Sequence, residues 1–237
     1  MISFSNLGSM GQMGNQMFQI SSTIGIAKKN NEDYIFPPWE YEQYFNLHGC
    51  FSNNIKVDKI YNEPHFHYAE LPPIKNVGLV GYWQSYRYFM DYDNFIRNIF
   101  EFSFSVEKNY NTASIHIRRG DYLKFSDCHT NLSDTYYHKA MSIVDADRYI
   151  IFSDDIDWCK GKFIGSQFNF AQGNSPAVDM ALMANCSHNI IANSSFSWWG
   201  AWLNKNPSKK VIAPTNWFGH ALPHNTKDLL PKEWIQI

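Results

Sequence analysis

The stretch Ala113-Ser114-Ile115-His116-Ile117-Arg118-Arg119-Gly120-Asp121-Tyr122 decides the fold. Its first five residues read as a buried strand, and Gly120 permits a sharp exit turn. Side chains alternate along a strand, so Ile115 and Ile117 face one side and His116 and Arg118 the other. Further strand-like runs follow at Tyr149–Phe152, His188–Ala192 and Lys210–Ala213, with helix-like runs between them at Thr135–Val144, Ala177–Ala184 and Phe196–Leu203. Alternating strands and helices make parallel βαβ units and a sheet covered on both faces. In such sheets ligands bind beyond the carboxyl ends of the strands. Residues that carry chemistry should gather just after each strand, and in this sequence they do.

Three strand ends are polar. At the first, Arg118 offers paired donors to phosphate oxygens, with His116 on the same face; the competing reading is an Arg–Asp ion pair bracing the turn. The second, Phe152-Ser153-Asp154-Asp155, has two acids that could bind a metal, act as a base or cap the next helix. The reading leans against a metal at this strand end. The third, Asn193-Ser194-Ser195-Phe196-Ser197-Trp198-Trp199-Gly200, ends a strand in hydroxyl residues and opens a helix, so it reads both as a capped start and as an anion site. Trp198 and Trp199 lie within that helix and read as packing residues. Upstream, Asp179 reads as an acid at a helix start, there either for the dipole or to accept two N–H bonds from a guanine edge.

Toward the N-terminus, the turn Gly11-Gln12-Met13-Gly14-Asn15-Gln16 leads into a helix, Asn15–Lys29, with Met17, Ile20, Ile24 and Ala27 on one face. Tyr34–Phe36 reads as a short strand stopped by Pro37-Pro38, and Gly81-Tyr82-Trp83-Gln84-Ser85 as a strand end feeding a helix from Tyr86 to Phe102. Residues 39–77 carry no assignable pattern. The change of pattern divides the chain into an N-terminal half, 1–105, and a C-terminal half, 106–237.

Composition narrows the function. With 237 residues, 44% of them apolar, a real core can be buried. The net charge of −2 argues against a nucleic-acid partner, so any phosphate site is local. There are five arginines, and two of them, Arg118 and Arg119, are adjacent. Cys50, Cys128, Cys159 and Cys186 form no C-x-x-C pair, which disfavours zinc and reads as reduced thiols of a cytoplasmic protein. No signal-peptide pattern opens the chain and no run is long and apolar enough to span a membrane. A generic NAD-binding protein is disfavoured, because no G-x-G-x-x-G follows a strand.

At these residues the sequence resembles the α-1,2-fucosyltransferases of glycosyltransferase family 11. The blocks are Gly14-Asn15-Gln16-Met17-Phe18-Gln19, Gly81–Ser85, His116–Tyr122, Phe152–Asp155 with Trp158-Cys159-Lys160, and Asn193–Leu203, closed by Ala213-Pro214 and Trp217-Phe218. The resemblance implies an α/β fold of GT-B type: two Rossmann-like halves facing a cleft, the C-terminal half a parallel sheet with helices on both faces. It implies GDP-fucose as donor, no metal or other cofactor, and inversion at the sugar carbon. The implied acceptor is a terminal galactose of a glycan, attacked through its 2-hydroxyl. A lipid-linked glycan would bring peripheral membrane association.

The resemblance also implies roles. Arg118 binds the β-phosphate of the donor and His116 lies against the nucleotide. Ser194 and Ser195 touch phosphates, Phe196 belongs to the same donor-binding segment, Asp179 binds guanine, and Gly14, Asn15 and Gln16 sit near phosphate and fucose. Asp154, Asp155 and His116 are candidate general bases. The chain is shorter than the family pattern, and the shortfall lies before Gly81, in the half expected to shape the acceptor site. Two other classes fit parts of the sequence: a transferase using another GDP-sugar, and a non-catalytic glycan-binding module suited to 17% aromatic residues.

Overall fold

Parallel strands cannot be joined by tight hairpins, so each pair needs a crossover, usually a helix. The computed structural model describes residues 1–237 and shows this arrangement twice, in two compact units. The first comprises Met1–Phe104 with His224–Pro231; the second, Ser105–Pro223 with Lys232–Ile237. The segment His224–Pro231, read from sequence as part of the C-terminal half, belongs to the first unit.

The first unit is built on β1 (Ile2–Ser3), β2 (Tyr34–Ile35), β3 (Lys59–Asn62) and β4 (Val77–Val80), all parallel in the order β2-β1-β4-β3. Helix α1 (Met13–Lys29) joins β1 to β2 and is buried almost all round, from Met13 to Ala27 apart from Asn15. The expected helix from Tyr86 to Phe102 is broken. Two 3-10 turns, Tyr86–Tyr88 and Met90–Tyr92, precede a short α2 (Asp93–Ile99), and Phe89 between them leaves helical backbone at φ −131. Aromatic side chains are weak helix formers, and Tyr88 and Phe89 are instead buried in the core. Within residues 39–77 the regular pieces are a 3-10 turn at Glu42–Tyr44 and β3. Much of the aromatic surplus packs here: Trp39 stacks on Phe45, and Phe45 meets Phe100 and Phe102.

The second unit carries six parallel strands: β5 (Asn109–Ile117), β6 (Arg148–Ser153), β7 (Phe168–Phe170), β8 (Cys186–Ile190), β9 (Val211–Ala213) and β10 (Ile235–Gln236), in the order β10-β9-β8-β5-β6-β7. Helices α3 (Gly120–Lys124), α4 (Asp134–Val144), α5 (Ile156–Lys162), α6 (Pro176–Ala184) and α7 (Ser195–Leu203) connect them. On one face Ile115, Ile117, Ile151 and Ile190 pack under Tyr136, Tyr137 and Ala140 of α4 and Cys159 of α5. On the other, Asn189 of β8 donates to Ser114 and accepts from Asn204, which follows α7. Trp198 and Trp199 are fully buried, as expected of packing residues. The order places β5 between β8 and β6, so the ends of the three polar strands lie side by side. The four cysteines are free thiols. No helix is long and apolar enough to cross a membrane.

Candidate active site

Alternation along β5 sends His116 away from the isoleucine face and toward α7. Its Nδ1 lies 2.9 Å from Ser197 Oγ, and its ring is 5.5 Å from that of Phe196. Only 6% of the residue is exposed. Burial, with the Arg118 charge second, pulls its pKa down to about 3, so the ring is neutral. Among the candidate bases His116 is the one whose ring is held neutral and hardest to protonate. It is a fixed neutral partner for Ser197.

Arg118 stands just past the strand. Its guanidinium pairs with Asp121 Oδ1 at 2.8 Å and Asp154 Oδ2 at 3.1 Å, and lies 5.5 Å from the centre of the Tyr122 ring. The ion-pair reading of this turn therefore holds, yet the side chain keeps 24% exposure. Two carboxylates orient the fork without using all five N–H donors. A Cβ on Gly120 would fall 2.9 Å from Asp154 Oδ2, so a side chain there would displace the carboxylate that orients Arg118.

The adjacent Arg119 has a different duty. Its Nε binds Asp155 Oδ2 at 3.1 Å, its guanidinium stacks 3.8 Å over Trp158, and its backbone N–H donates to Asp154 Oδ1 at 2.9 Å. Asp155 also caps α5, accepting from the Trp158 N–H at 3.3 Å. One of the two acids is thus a cap, as the sequence indicated, and the other orients Arg118.

The β8–α7 connection is tied to the same place. Tyr122 donates its hydroxyl to the Asn193 carbonyl at 2.9 Å while its ring stacks on His129. Buried Asn193 donates to the carbonyls of Thr130 and Trp217. Ser194 is the residue before α7, but its side chain makes no capping bond, which corrects the capping reading of this segment. The first turn of a helix leaves N–H groups without an intrahelical acceptor, and here that turn, Ser195–Ser197, reaches His116. Tyr122, Asn193 and Ser197 lie inside the quoted motifs, but only the packing of β5 against β8 and α7 reveals what they hold.

Asp179 is the fourth residue of α6, which starts at Pro176 with Ser175 accepting from the Val178 N–H. It stands in the first turn of its helix, where an acid meets the helix dipole favourably, as the sequence indicated. Burial raises its carboxyl pKa, partly offset by the 2.9 Å bond from Asn174 Nδ2. No hydrogen bond joins it to His116 or Arg118. In the first unit, Gly14, Asn15 and Gln16 form the first turn of α1. Gln16 is committed to the fold: it donates to the Gly11 carbonyl and accepts from Trp39 Nε1 at 2.7 Å. Asn15 Oδ1 accepts from Gln84 Nε2 at 2.7 Å.

Two parallel α/β units, one with an oriented arginine and a helix start gathered at neighbouring strand ends, have the GT-B type of fold. The chain belongs to glycosyl transferase family 11, whose model matches residues 17–237. It is 31% identical over 289 aligned positions to an alpha-1,2-colitosyltransferase of Escherichia coli, covering 96% of each chain. It is 25% identical to the galactoside 2-alpha-L-fucosyltransferase SEC1 of Bos taurus, covering 83% of this chain and 63% of that one. Among solved structures, the fucosyltransferase NodZ from Bradyrhizobium matches with TM-score 0.53 at 12% identity, over 84% of this chain and 91% of that one. POFUT1 in complex with GDP-fucose matches with TM-score 0.52 at 12% identity, over 89% and 96%.

Proposed function

We propose that this glycosyltransferase moves L-fucose from GDP-fucose, with inversion, onto the 2-hydroxyl of a terminal galactose. The observation that carries the reading is Arg118, oriented by two carboxylates beside the start of α7. As the bond from the anomeric carbon to the β-phosphate breaks, negative charge grows on departing GDP. Fixed donors aimed at growing charge are worth about 100- to 1,000-fold in rate, as in known oxyanion sites. Arg118, the Ser194 and Ser195 hydroxyls and the first-turn N–H groups of α7 supply them, with Phe196 and His116 beside the nucleotide. In this reading the arginine does part of a divalent metal's work, and no cofactor takes part. Asp179 receives the guanine edge; Gly14 and Asn15 are the first unit's donor contacts.

His116 is too hard to protonate, Asp154 is paired with Arg118 and the Arg119 N–H, and Asp155 is spent on Arg119 and the α5 cap. A dissociative displacement fits best, in which the acceptor hydroxyl loses its proton late and needs little help from a base. An alternative donor, a nucleotide-linked colitose, is favoured by the similarity to a colitosyltransferase across 96% of the chain. Colitose is fucose without its 3-hydroxyl. A site built to hydrogen-bond that hydroxyl would reject colitose strongly, whereas a site without such a partner would discriminate weakly.

The test is incubation with GDP-fucose, GDP-colitose and GDP-mannose against a panel of galactosides, with product linkage read by NMR, with and without EDTA. The expected outcome is an α-1,2-fucosyl galactoside formed equally well with chelator. Preference for colitose would change the donor assignment. Chelator-sensitive activity restored by manganese would bring Asp154 and Asp155 back as metal ligands. GDP binding without turnover on any acceptor would count against catalysis.

A further inference from the structure

We propose that Glu63 is the positioning residue that holds the Gly81–Ser85 turn, and through it the Asn15 amide, in the arrangement transfer requires. The inference rests on the donor contact assigned to Asn15 above. Glu63 follows β3 directly and Gly81 follows β4, and the two strands are parallel neighbours with Asn62 opposite Val80. The Glu63 N–H donates to the Val80 carbonyl at 2.8 Å, which brings its side chain under the turn. There one carboxylate accepts two successive backbone N–H groups, Tyr82 on Oε2 at 2.8 Å and Trp83 on Oε1 at 2.9 Å.

Successive N–H groups point to one acceptor only if the backbone bends. Gly81 stands at φ 138 and Trp83 at φ 53, a left-handed conformation that a bulky residue adopts only under constraint. A Cβ on Gly81 would fall 2.4 Å from that of Glu63, so turn and carboxylate fit only with glycine here. The remaining ties run to α1. Ser22 donates to the Trp83 carbonyl at 2.8 Å, Gln19 to that of Gly81 at 3.4 Å, and Gln84 Nε2 to Asn15 Oδ1 at 2.7 Å. Glu63 therefore supplies the only charge among the groups that shape the turn, and Gln84 passes that shape to Asn15.

The charge is conditional. Burial raises the Glu63 carboxyl pKa to about 7, against the lowering effects of the Trp83 and Tyr82 N–H groups and of His65. Tyr88, from the 3-10 turn packed alongside, also faces it and is itself raised in part by the Glu63 charge. Ionised, the group offers an acceptor to each N–H. Protonated, one oxygen becomes a donor and one N–H is left poorly served. The indole Nε1 of Trp83, buried without a partner, is a donor too and cannot compensate.

The experiment combines pH–rate profiles of wild type and Glu63→Gln with the amide proton resonances of Tyr82 and Trp83 followed over the same pH range. Wild-type kcat/KM for GDP-fucose should rise through pH 7. Glu63→Gln should be flat with pH and about tenfold slower at high pH, the size of a lost hydrogen bond to a charged group. Both amide resonances should titrate near pH 7 in wild type, a readout that needs neither activity nor a folded variant. An unchanged profile in Glu63→Gln, or amide resonances indifferent to pH, would overturn the proposal. A loss beyond about 1,000-fold, the reach of direct proton-transfer catalysis, would overturn it in favour of Glu63 acting on the acceptor proton itself. If wild type transfers no sugar yet the amides titrate, the function assigned above fails while the Glu63 clamp stands.

Discussion

The two units finish their strands with opposite chemistry. At the rim of the second unit, charge orients charge: Arg118 and Arg119 are set by Asp121, Asp154 and Asp155 within a few residues of β5 and β6. At the rim of the first unit, amides and one half-buried carboxylate do the holding: Gln16, Gln84 and Glu63 fix α1 and the Gly81–Ser85 turn. The first kind of site holds charged side chains that stay partly exposed. The second is made to keep a polar, uncharged surface in one shape. The buried titratable groups follow the same division, a neutral imidazole in one unit and a carboxyl poised near neutrality in the other.

The largest expected effect breaks the second unit's site and leaves the first intact. Arg118→Ala should lower kcat/KM for GDP-fucose by about 100- to 1,000-fold. Its stability cost should be about 1 kcal/mol or less, because partly exposed ion pairs contribute little. Arg119→Ala should invert the pattern, with a modest rate effect and a larger fall in Tm, since Arg119 is committed to Asp155 and Trp158 of α5. Parallel kinetics and thermal denaturation of the two variants would separate these duties.

Next in size is the buried imidazole. Ser197→Ala leaves His116 Nδ1 without its partner and should cost about 1–3 kcal/mol, read from denaturant unfolding. The pH dependence sharpens the contrast between units. His116 is held far below its ordinary 6.5, so the folded state resists protonation and stability falls as pH drops from about 6.5 toward 3. Glu63 is held above its ordinary 4.5, so its contribution has the opposite sign: stability falls as pH rises from 4.5 through about 7. Replacing either residue should remove its own slope from a Tm–pH series and leave the other.

The smallest effect is at Asp155. Asparagine also caps helices well, so Asp155→Asn should cost no more than about 1 kcal/mol, mainly through the Arg119 pair, and should hardly alter turnover. A large loss of kcat would return Asp155 to the list of bases.

The same contrast explains what the sequence could reveal. The second unit's strands alternate regularly with helices, and its charged residues stand in contiguous blocks, so the parallel sheet and Arg118 were legible. The His116–Ser197 bond joins residues 81 apart and was not. In the first unit the signals are weaker still. β3 is four mostly exposed residues with no apolar alternation, so nothing pointed to Glu63 at its end. The aromatic run from Tyr86 imitates a helix in spacing, while packing on the core breaks it into 3-10 turns. β7 and β10, three and two residues long, are defined by their neighbours and not by their own composition.

The central claim is that Arg118 and the start of α7 together hold a diphosphate. Calorimetric titration of GDP into wild type and Arg118→Ala tests it most directly. The account predicts a single site in wild type, weakened in the variant by tenfold or more, the factor that about 1.4 kcal/mol of lost binding produces, with thermal unfolding little changed. Equal GDP affinity in both proteins would contradict it.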